Sequence, residues 1–366
     1  DTAELNILPA DEHPRVTQHM EEIIALVERI IERGHAYVAA GDVYFDVRSL
    51  PEYGSLSGRD IDDMRAGARV MPGESKRDPL DFALWKAAKP GEISWHSPWG
   101  PGRPGWHIEC SAMSCKYLGE SFDIHGGGAD LVFPHHENEL AQSHAAGQGF
   151  AKYWLHNGFI TVNEEKMSKS LGNFFLLRDI LAKFEGDVVR YYLLATHYRS
   201  PIDFSDDKLE SAARSLNRIR NCYLLLKEGD ERAAAGEARF AAITDKARAD
   251  FIAAMDDDFN TALALSVIFT YCRELNAYLA AGQPAAADTA AALALFDDFE
   301  AVLGMIIPRA KRQAGLEEAL LDLMLNIRGQ LRAKKEYALA DAIRDQLKQL
   351  GVIIEDTPEG ARWKRA

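Results

Sequence analysis

Phe122-Asp123-Ile124-His125-Gly126-Gly127-Gly128-Ala129-Asp130, continued by Phe133-Pro134-His135-His136-Glu137-Asn138-Glu139, is the stretch that decides the fold. Phe122-Asp123-Ile124 reads as a short strand leading into three glycines, and Pro134 suits the first turn of a helix. Strand, glycine turn, helix is the order of a parallel α/β sheet that binds its ligand at the strand ends. Phe159-Ile160-Thr161-Val162 supplies a further strand. Glycines at 126, 127 and 128 would let the backbone approach a ligand closely, although a glycine-rich turn can also be purely structural.

Helical spacing after Pro134 puts His135 and Glu139 four residues apart on one face. His136 falls on a neighbouring face, apart from that pair. Upstream, Trp106-His107-Ile108-Glu109-Cys110 contributes a thiol. Thiolate, imidazole and carboxylate form a zinc-type donor set, so Cys110, His135 and Glu139 are the candidate ligands. Three donors leave either an open catalytic position or a fourth ligand elsewhere. A single cysteine is more often an inert buried thiol; the adjoining His/Glu pair is what favours the metal.

Lys166-Met167-Ser168-Lys169-Ser170, followed by Leu171-Gly172-Asn173, lies between an apolar run and a helix. Two ammonium groups, two hydroxyls and exposed N–H groups can wrap a polyphosphate. A solvated basic loop is the bland alternative.

Together these stretches resemble cysteinyl-tRNA synthetase, a family of class I aminoacyl-tRNA synthetases. The resemblance is carried by Gly105-Trp106-His107-Ile108-Glu109-Cys110-Ser111-Ala112-Met113, by His125 to Glu139, by Lys166 to Asn173 and by a C-terminal segment, and it spans essentially the whole chain. It implies an α/β fold with a Rossmann-like catalytic domain over 1–204. A connective peptide is inserted at about 34–104, and a lysine-loop and stem-contact region occupies about 160–204. A helical bundle over 205–312 and a small anticodon-binding domain over 316–366 would follow. The sequence opens Asp1-Thr2-Ala3-Glu4-Leu5-Asn6-Ile7-Leu8, which in the family lies well inside the catalytic domain. The first strand, a His-Ile-Gly-His motif and another zinc-binding cysteine belong upstream, and Cys115, Cys222 and Cys272 do not stand where that ligand belongs. The expectation is a chain without the N-terminal part of its catalytic domain.

The resemblance further implies ATP-dependent activation of L-cysteine to cysteinyl-adenylate, then transfer to the tRNA for cysteine, with Mg2+ accompanying ATP. Lys166 and Lys169 would be the catalytic cations. His125, Gly126, Gly127, Gly128, Asp130, Trp154 and Lys169 would line the ATP site. Asp130 could meet an ammonium group or hold a turn, and a core role for Trp154 is the alternative. Trp106 and His125 would wall the side-chain pocket, where Zn2+ on Cys110, His135 and Glu139 would bind the substrate thiolate. Serine is a poorer metal ligand, and a polar mismatch of this kind discriminates by about 10⁴-fold without editing. In the family, residues matching Arg332, Asp341, Arg344 and Asp356 contact the G-C-A anticodon. Tyr337 stands where a tryptophan often stands, and a charged solvated helix face is the alternative for all of them.

Composition agrees with that assignment. The 366 residues can build two or three domains. No run approaches the ~20 apolar residues of a membrane-spanning helix. Four unevenly spaced cysteines do not form a disulfide framework, which fits a reducing cytoplasm. Net charge is −14, but Arg328–Ala366 holds nine Lys/Arg against six Asp/Glu, a balance of +3 that leaves −17 for the rest. An acidic protein can read RNA through such a basic tail.

Apolar spacing predicts a helix over about 14–33, a hairpin around Ala39-Ala40-Gly41-Asp42, and a helix from Ser205 to about Leu226. Met255-Asp256-Asp257-Asp258-Phe259-Asn260 reads as a capping turn, because a calcium loop needs further spaced ligands. Trp85, Trp95 and Trp99 are expected in a core or domain interface. In the tail, Leu320, Met324, Ile327 and Leu331 form one helical stripe and Leu339, Ile343, Leu347 and Leu350 a second, before a strand at Val352-Ile353-Ile354. A monomer is the family expectation. The competing functions are a cysteine ligase with an amino-sugar acceptor, a zinc hydrolase and a truncated tRNA-binding fragment. A zinc hydrolase leaves the lysine loop unexplained and lacks His-Glu-x-x-His.

Overall fold

Ile23, Val27 and Ile30 recur at helical spacing and are fully buried, so helix α1 (Met20–Glu32) lies along a core. A computed structural model of the chain describes residues 1–61, 75–162, 165–167, 175–307, 316–334, 336–349, 352–357 and 360–365. They fall into two compact units, 1–307 and 308–366.

After α1 the chain turns at Gly34 into the expected hairpin, β1 (Ala36–Ala39) and β2 (Asp42–Phe45). Ala40 and Gly41 both have positive φ, 54° and 86°, the two-residue turn that matches strand twist. β3 (Phe82–Ala87) and β4 (Gly102–Pro104) extend it to an antiparallel sheet in the order β1-β2-β3-β4. Trp85 is fully buried within it and Trp99 packs 5.9 Å away, so the tryptophans of this region serve packing. The sheet shares its core with α1, α2 (Trp106–Leu118) and α3 (Glu137–Ala145).

The remaining strands of this unit form two small sheets. β5 (Phe122–Gly128) and β6 (Ala151–Asn157) are parallel, with Gly126, Gly127 and Gly128 opposite Leu155, His156 and Asn157. The glycines therefore belong to the strand rather than to a turn after it, because their N–H and C=O groups join the ladder; the turn comes at Ala129–Leu131. β7 (Ile160–Val162) pairs antiparallel with β8 (Glu165–Lys166) and parallel with β9 (Ile202–Phe204). Short helices α4 (Leu177–Leu181) and α5 (Gly186–Leu194) lie between β8 and β9 in sequence.

A bundle of α6 (Asp206–Glu231), α7 (Ala241–Asp256), α8 (Thr261–Ala280) and α9 (Ala286–Leu303) follows. Ser205 caps α6 by accepting the Lys208 N–H, as its sequence predicts, and the helix runs past Leu226 to Glu231. Phe251, Tyr271, Phe296 and Phe299 fill the bundle and share one core with Leu5, Ile180, Val188 and Val189. The bundle is thus continuous with the helices that precede it. The acidic run between α7 and α8 is a capping turn, in which Asn260 accepts the Leu263 N–H at 3.0 Å. Asp258 and Phe259 are both left-handed (φ 55° and 54°). Asp258 holds that conformation by accepting from Tyr198 Oη at 2.7 Å and Arg199 Nε at 2.5 Å. Among the described residues no helix is long and apolar enough to cross a membrane.

In the second unit α10 (Leu316–Ala333) and α11 (Tyr337–Gln349) pack with a hairpin of β10 (Val352–Thr357) and β11 (Gly360–Arg365). The buried side of α10 is rotated from the predicted stripe. Leu321 and Arg328 are buried, whereas Ile327 is 38% exposed. Leu321, Met324 and Arg328 follow the same i, i+3, i+7 spacing, and the long Arg328 stem stands in for an apolar residue.

Asp288, buried at the start of α9, accepts from the Arg239 and Phe240 N–H groups at 2.9 and 3.1 Å and from Tyr278 Oη at 2.7 Å. Burial opposes its charge, but these donors outweigh it and hold its pKa below the ordinary value. A depressed carboxylate stabilises the fold above its unfolded pKa, and that contribution is lost as pH falls through the folded one. Urea midpoints should therefore fall as pH drops below about 4, and Asp288→Asn should shrink that drop while lowering the midpoint at neutral pH. An unchanged midpoint for Asp288→Asn at pH 7 would remove the assignment.

Candidate active site

Gly105 sets the geometry of the site. A Cβ there would lie 2.0 Å from the Ala83 carbonyl oxygen, so only glycine lets the chain leave β4 against β3 and enter α2 directly. The helix then presents Trp106, His107, Cys110 and Ser111. Ser111 Oγ donates to Gln142 Oε1 of α3 at 2.6 Å, which fixes the two helices against each other.

Glu139, in the first turn of α3, is wholly buried and is the centre of the cluster. Its Oε1 lies 2.7 Å from His135 Nε2 and its Oε2 lies 3.0 Å from His125 Nε2. Burial disfavours its charge, yet the two imidazoles more than offset this and lower its pKa. The contacts are close but poorly aligned: neither carboxylate oxygen has a hydrogen-bond donor in line among the described residues. A buried carboxylate left this way costs free energy unless a cation completes it.

The donor atoms of Cys110, His135 and Glu139 lie within 4.8 Å of one another. Those of His125, His136 and Glu139 do as well. The first trio is the set expected from the sequence; the second brings in His136, which helical spacing alone sets apart. The reason is the backbone before α3. Residues Val132–His136 form a kinked turn with Phe133 extended (φ −138°, ψ 133°), so the regular helix starts at Glu137 rather than just after Pro134. Burial pushes the Cys110 thiol up to about 12, with Glu139 and Glu109 adding to the effect. The sulfur is therefore a neutral thiol until a cation displaces its proton. Soft sulfur, imidazole and a carboxylate with unaligned oxygens suit a zinc-sized divalent ion.

Trp106 is 60% exposed and stacks obliquely on His135, ring centroids 4.3 Å apart, so it forms an open wall beside the donors. His125 is partly buried and contacts His136 and Trp154 at 4.6 and 5.0 Å. Trp154 stacks on His156, and His156 Nε2 meets His136 Nδ1 at 2.8 Å. Burial lowers the His136 pKa to about 4, so this contact joins neutral rings. Gly127 permits the assembly, since a Cβ would lie 2.8 Å from His136 Cε1. Asp130 is exposed in the turn after the glycines.

Lys166 ends β8 opposite Thr161. Lys169 and its neighbouring serines lie outside the described residues. In the second unit, Arg332 is near the end of α10, and Tyr337, Asp341 and Arg344 lie on α11, where Arg344 Nη1 pairs with Asp341 Oδ1 at 3.1 Å. Asp356 is on β10 opposite Ala361.

Neither His107 nor Glu137 was given a role from the sequence, and His136 was set apart from the donors. Glu137, 1% exposed, accepts the N–H groups of Gly54 at 2.9 Å and Ser57 at 2.7 Å and ties the connective segment to α3. His-His-Glu-Asn-Glu carried the available signal: five consecutive polar residues cannot all face water at the start of a packed helix.

Comparison with known proteins agrees with this geometry. Residues 1–214 match the family model of the tRNA synthetases class I (C) catalytic domain, and residues 250–307 match the DALR domain, which falls on α7–α9. Methionyl-tRNA synthetase of Mycobacterium tuberculosis superposes with a TM-score of 0.56 at 17% identity, over 76% of this chain and 68% of that one. An arginyl-tRNA synthetase of Campylobacter jejuni gives 0.54 at 12% identity, over 83% and 64%. The fold is that of a class I aminoacyl-tRNA synthetase. Cysteine--tRNA ligases of Pelotomaculum thermopropionicum and Heliobacterium modesticaldum are 54% and 55% identical over the full length of this chain, which spans 80% and 79% of theirs. The ligase of Bacillus pumilus is 49% identical, with 78% of its length covered. The chain belongs to the cysteine--tRNA ligase family.

Proposed function

We propose that the protein ligates L-cysteine to its tRNA at the expense of ATP, through a cysteinyl-adenylate. The observation that carries this reading is the Cys110/His135/Glu139 cluster, its histidine and carboxylate buried beside the glycine strand, in a chain whose family is cysteine--tRNA ligase. Adenylation is attack of the cysteine carboxylate on the α-phosphorus of ATP, and the leaving group is pyrophosphate. Positioning and charge dominate such a step. Gly126, Gly127 and Gly128 let the β5 backbone lie close to the nucleotide, with His125 and Trp154 beside it and Asp130 at the rim. Lys166 and Lys169 neutralise charge on the departing pyrophosphate of an ATP that would be bound with Mg2+. A ribose hydroxyl of the terminal adenosine of the tRNA then attacks the cysteinyl carbonyl carbon, the carbonyl–oxygen–phosphate linkage breaks, and AMP leaves.

Cys110, His135 and Glu139 would hold zinc. When bound, the metal accepts the substrate thiolate and so separates cysteine from serine. Trp106 closes one side of that pocket. Arg332, Tyr337, Asp341, Arg344 and Asp356 supply anticodon contacts from the second unit: guanidinium groups donate to base acceptors, carboxylates accept from exocyclic amines, and the exposed Tyr337 ring can stack. Such a unit has no purpose for an amino-sugar acceptor.

The deciding experiment is cysteine-dependent ATP–pyrophosphate exchange with serine as control. Exchange with cysteine alone is the expected result, and Lys169→Ala should lower its rate about 10²–10³-fold. Exchange that ignores cysteine ends the proposal. Cys110→Ser should lose bound zinc, measured by plasma mass spectrometry, and narrow the preference for cysteine over serine; full zinc content with unchanged selectivity contradicts the ligand set. Arg344→Ala should raise KM for the tRNA about 10–100-fold in charging assays, the size of one lost bidentate base contact. Equal charging of transcripts with altered anticodons by both forms would show that Arg344 reads nothing.

A further inference from the structure

We infer that His107 is the positioning residue of the metal site and fixes which nitrogen of His135 meets the ion. The inference rests on the zinc reading above and extends it to a side chain that contacts no substrate. His107 Nδ1 and His135 Nδ1 are 2.8 Å apart, and both rings are buried. A contact between two ring nitrogens at that distance is a hydrogen bond only if one carries the proton and the other offers a lone pair. His135 directs Nε2 at Glu139 Oε1, 2.7 Å away, where the donor atoms converge. An imidazole that ligates through Nε2 keeps its proton on Nδ1. His135 is therefore the donor and His107 the acceptor, with the His107 proton on Nε2.

Packing holds His107 in that orientation. The Phe82 ring stands edge-on to it at 5.7 Å, and the His107 and His135 rings meet at a steep angle, centroids 4.8 Å apart. Phe82 itself stacks on Phe45 at 4.9 Å and on Tyr53 at 6.4 Å. Tyr53 Oη donates to Asn138 Oδ1 at 2.6 Å, which returns the chain of contacts to the helix bearing Glu139. His107 thus reaches the site from the antiparallel sheet side, while Cys110 reaches it one helical turn further along α2. Removing an outer partner of this kind from a ligating histidine typically costs about 10–100-fold in metal affinity.

Two substitutions separate positioning from packing. His107→Asn places Oδ1 near the former Nδ1 and keeps an acceptor. His107→Phe keeps the ring volume against Phe82 and has none. Zinc dissociation constants from chelator competition on the full chain, with urea midpoints as the folding control, are the readout. The expected result is a loss of about 10–100-fold for His107→Phe and recovery to within a few-fold for His107→Asn. Wild-type affinity in His107→Phe, or equal losses in both variants, overturns the assignment while leaving the zinc site intact. Wild-type protein that binds no zinc overturns the zinc reading and this inference together. A long-range proton–nitrogen NMR spectrum of the zinc-loaded wild type tests the same point without a variant. It should show His135 protonated at Nδ1 and His107 at Nε2, and the reverse pattern contradicts the inference.

Discussion

One buried carboxylate organises the catalytic end of this molecule. Glu139 has no exposed surface, and an ionised group there is tolerated only when positive or polar partners surround it. His125 comes from β5, His135 from the kinked turn, and Cys110 from α2, so three separate pieces of chain converge on one charge. Each approach has its own backbone requirement. Gly105 lets α2 start against β3, and Gly127 makes room for the His136 ring. The histidines around Glu139 contact one another and Trp154, and the burial of Glu139 and His135 keeps the local dielectric low and strengthens the electrostatic contacts between them.

The same economy holds at the turn between two bundle helices. The turn between α7 and α8 places two non-glycine residues in the left-handed region, a conformation that persists only under external restraint. Asp258 is restrained by Tyr198 and Arg199, in the loop leading to β9, and Thr261 Oγ1 donates to Leu194 O at the end of α5. β9 pairs with β7, and β7 pairs with the strand that ends in Lys166. The segment matched by the DALR model is therefore fastened, through short polar contacts, to the strands that carry the lysine loop.

The donor pair beside the glycine strand was legible in the sequence because its chemistry is local. The closeness of His135 and Glu139 can be read from their four-residue spacing, whereas Cys110, on a separate helix, was grouped with them by the chemistry of its thiol. The Ala40-Gly41 hairpin and the Ser205 cap were equally local. The parts that escaped depend on long-range packing. His107 looks like an ordinary residue beside Trp106 until β3 brings Phe82 against it. His136 appears misdirected until the irregular turn at Phe133 rotates it inward. The stripe on α10 was misplaced because Arg328 has the outward look of a surface residue, and only its burial shows that it belongs to the inner side of the helix. The triple glycine suggested a turn because glycine breaks strands in general; here the ladder to β6 overrides that tendency.

The two amide contacts of Glu137 bear on how related chains can differ in length. Gly54 and Ser57 are held by Glu137, while Asp81 is held independently by Tyr37 Oη at 2.6 Å and the Val47 N–H at 3.1 Å. Between them Arg59 lies over the Phe133 ring at 4.4 Å and Ile61 packs against the core shared with α3. Changes of length near Gly54, Ser57 or Arg59 would therefore reach the helix that bears Glu139, whereas Asp81 is fixed from the sheet side. An insertion of even one residue between Tyr53 and Ser57 would break the register that both amides share.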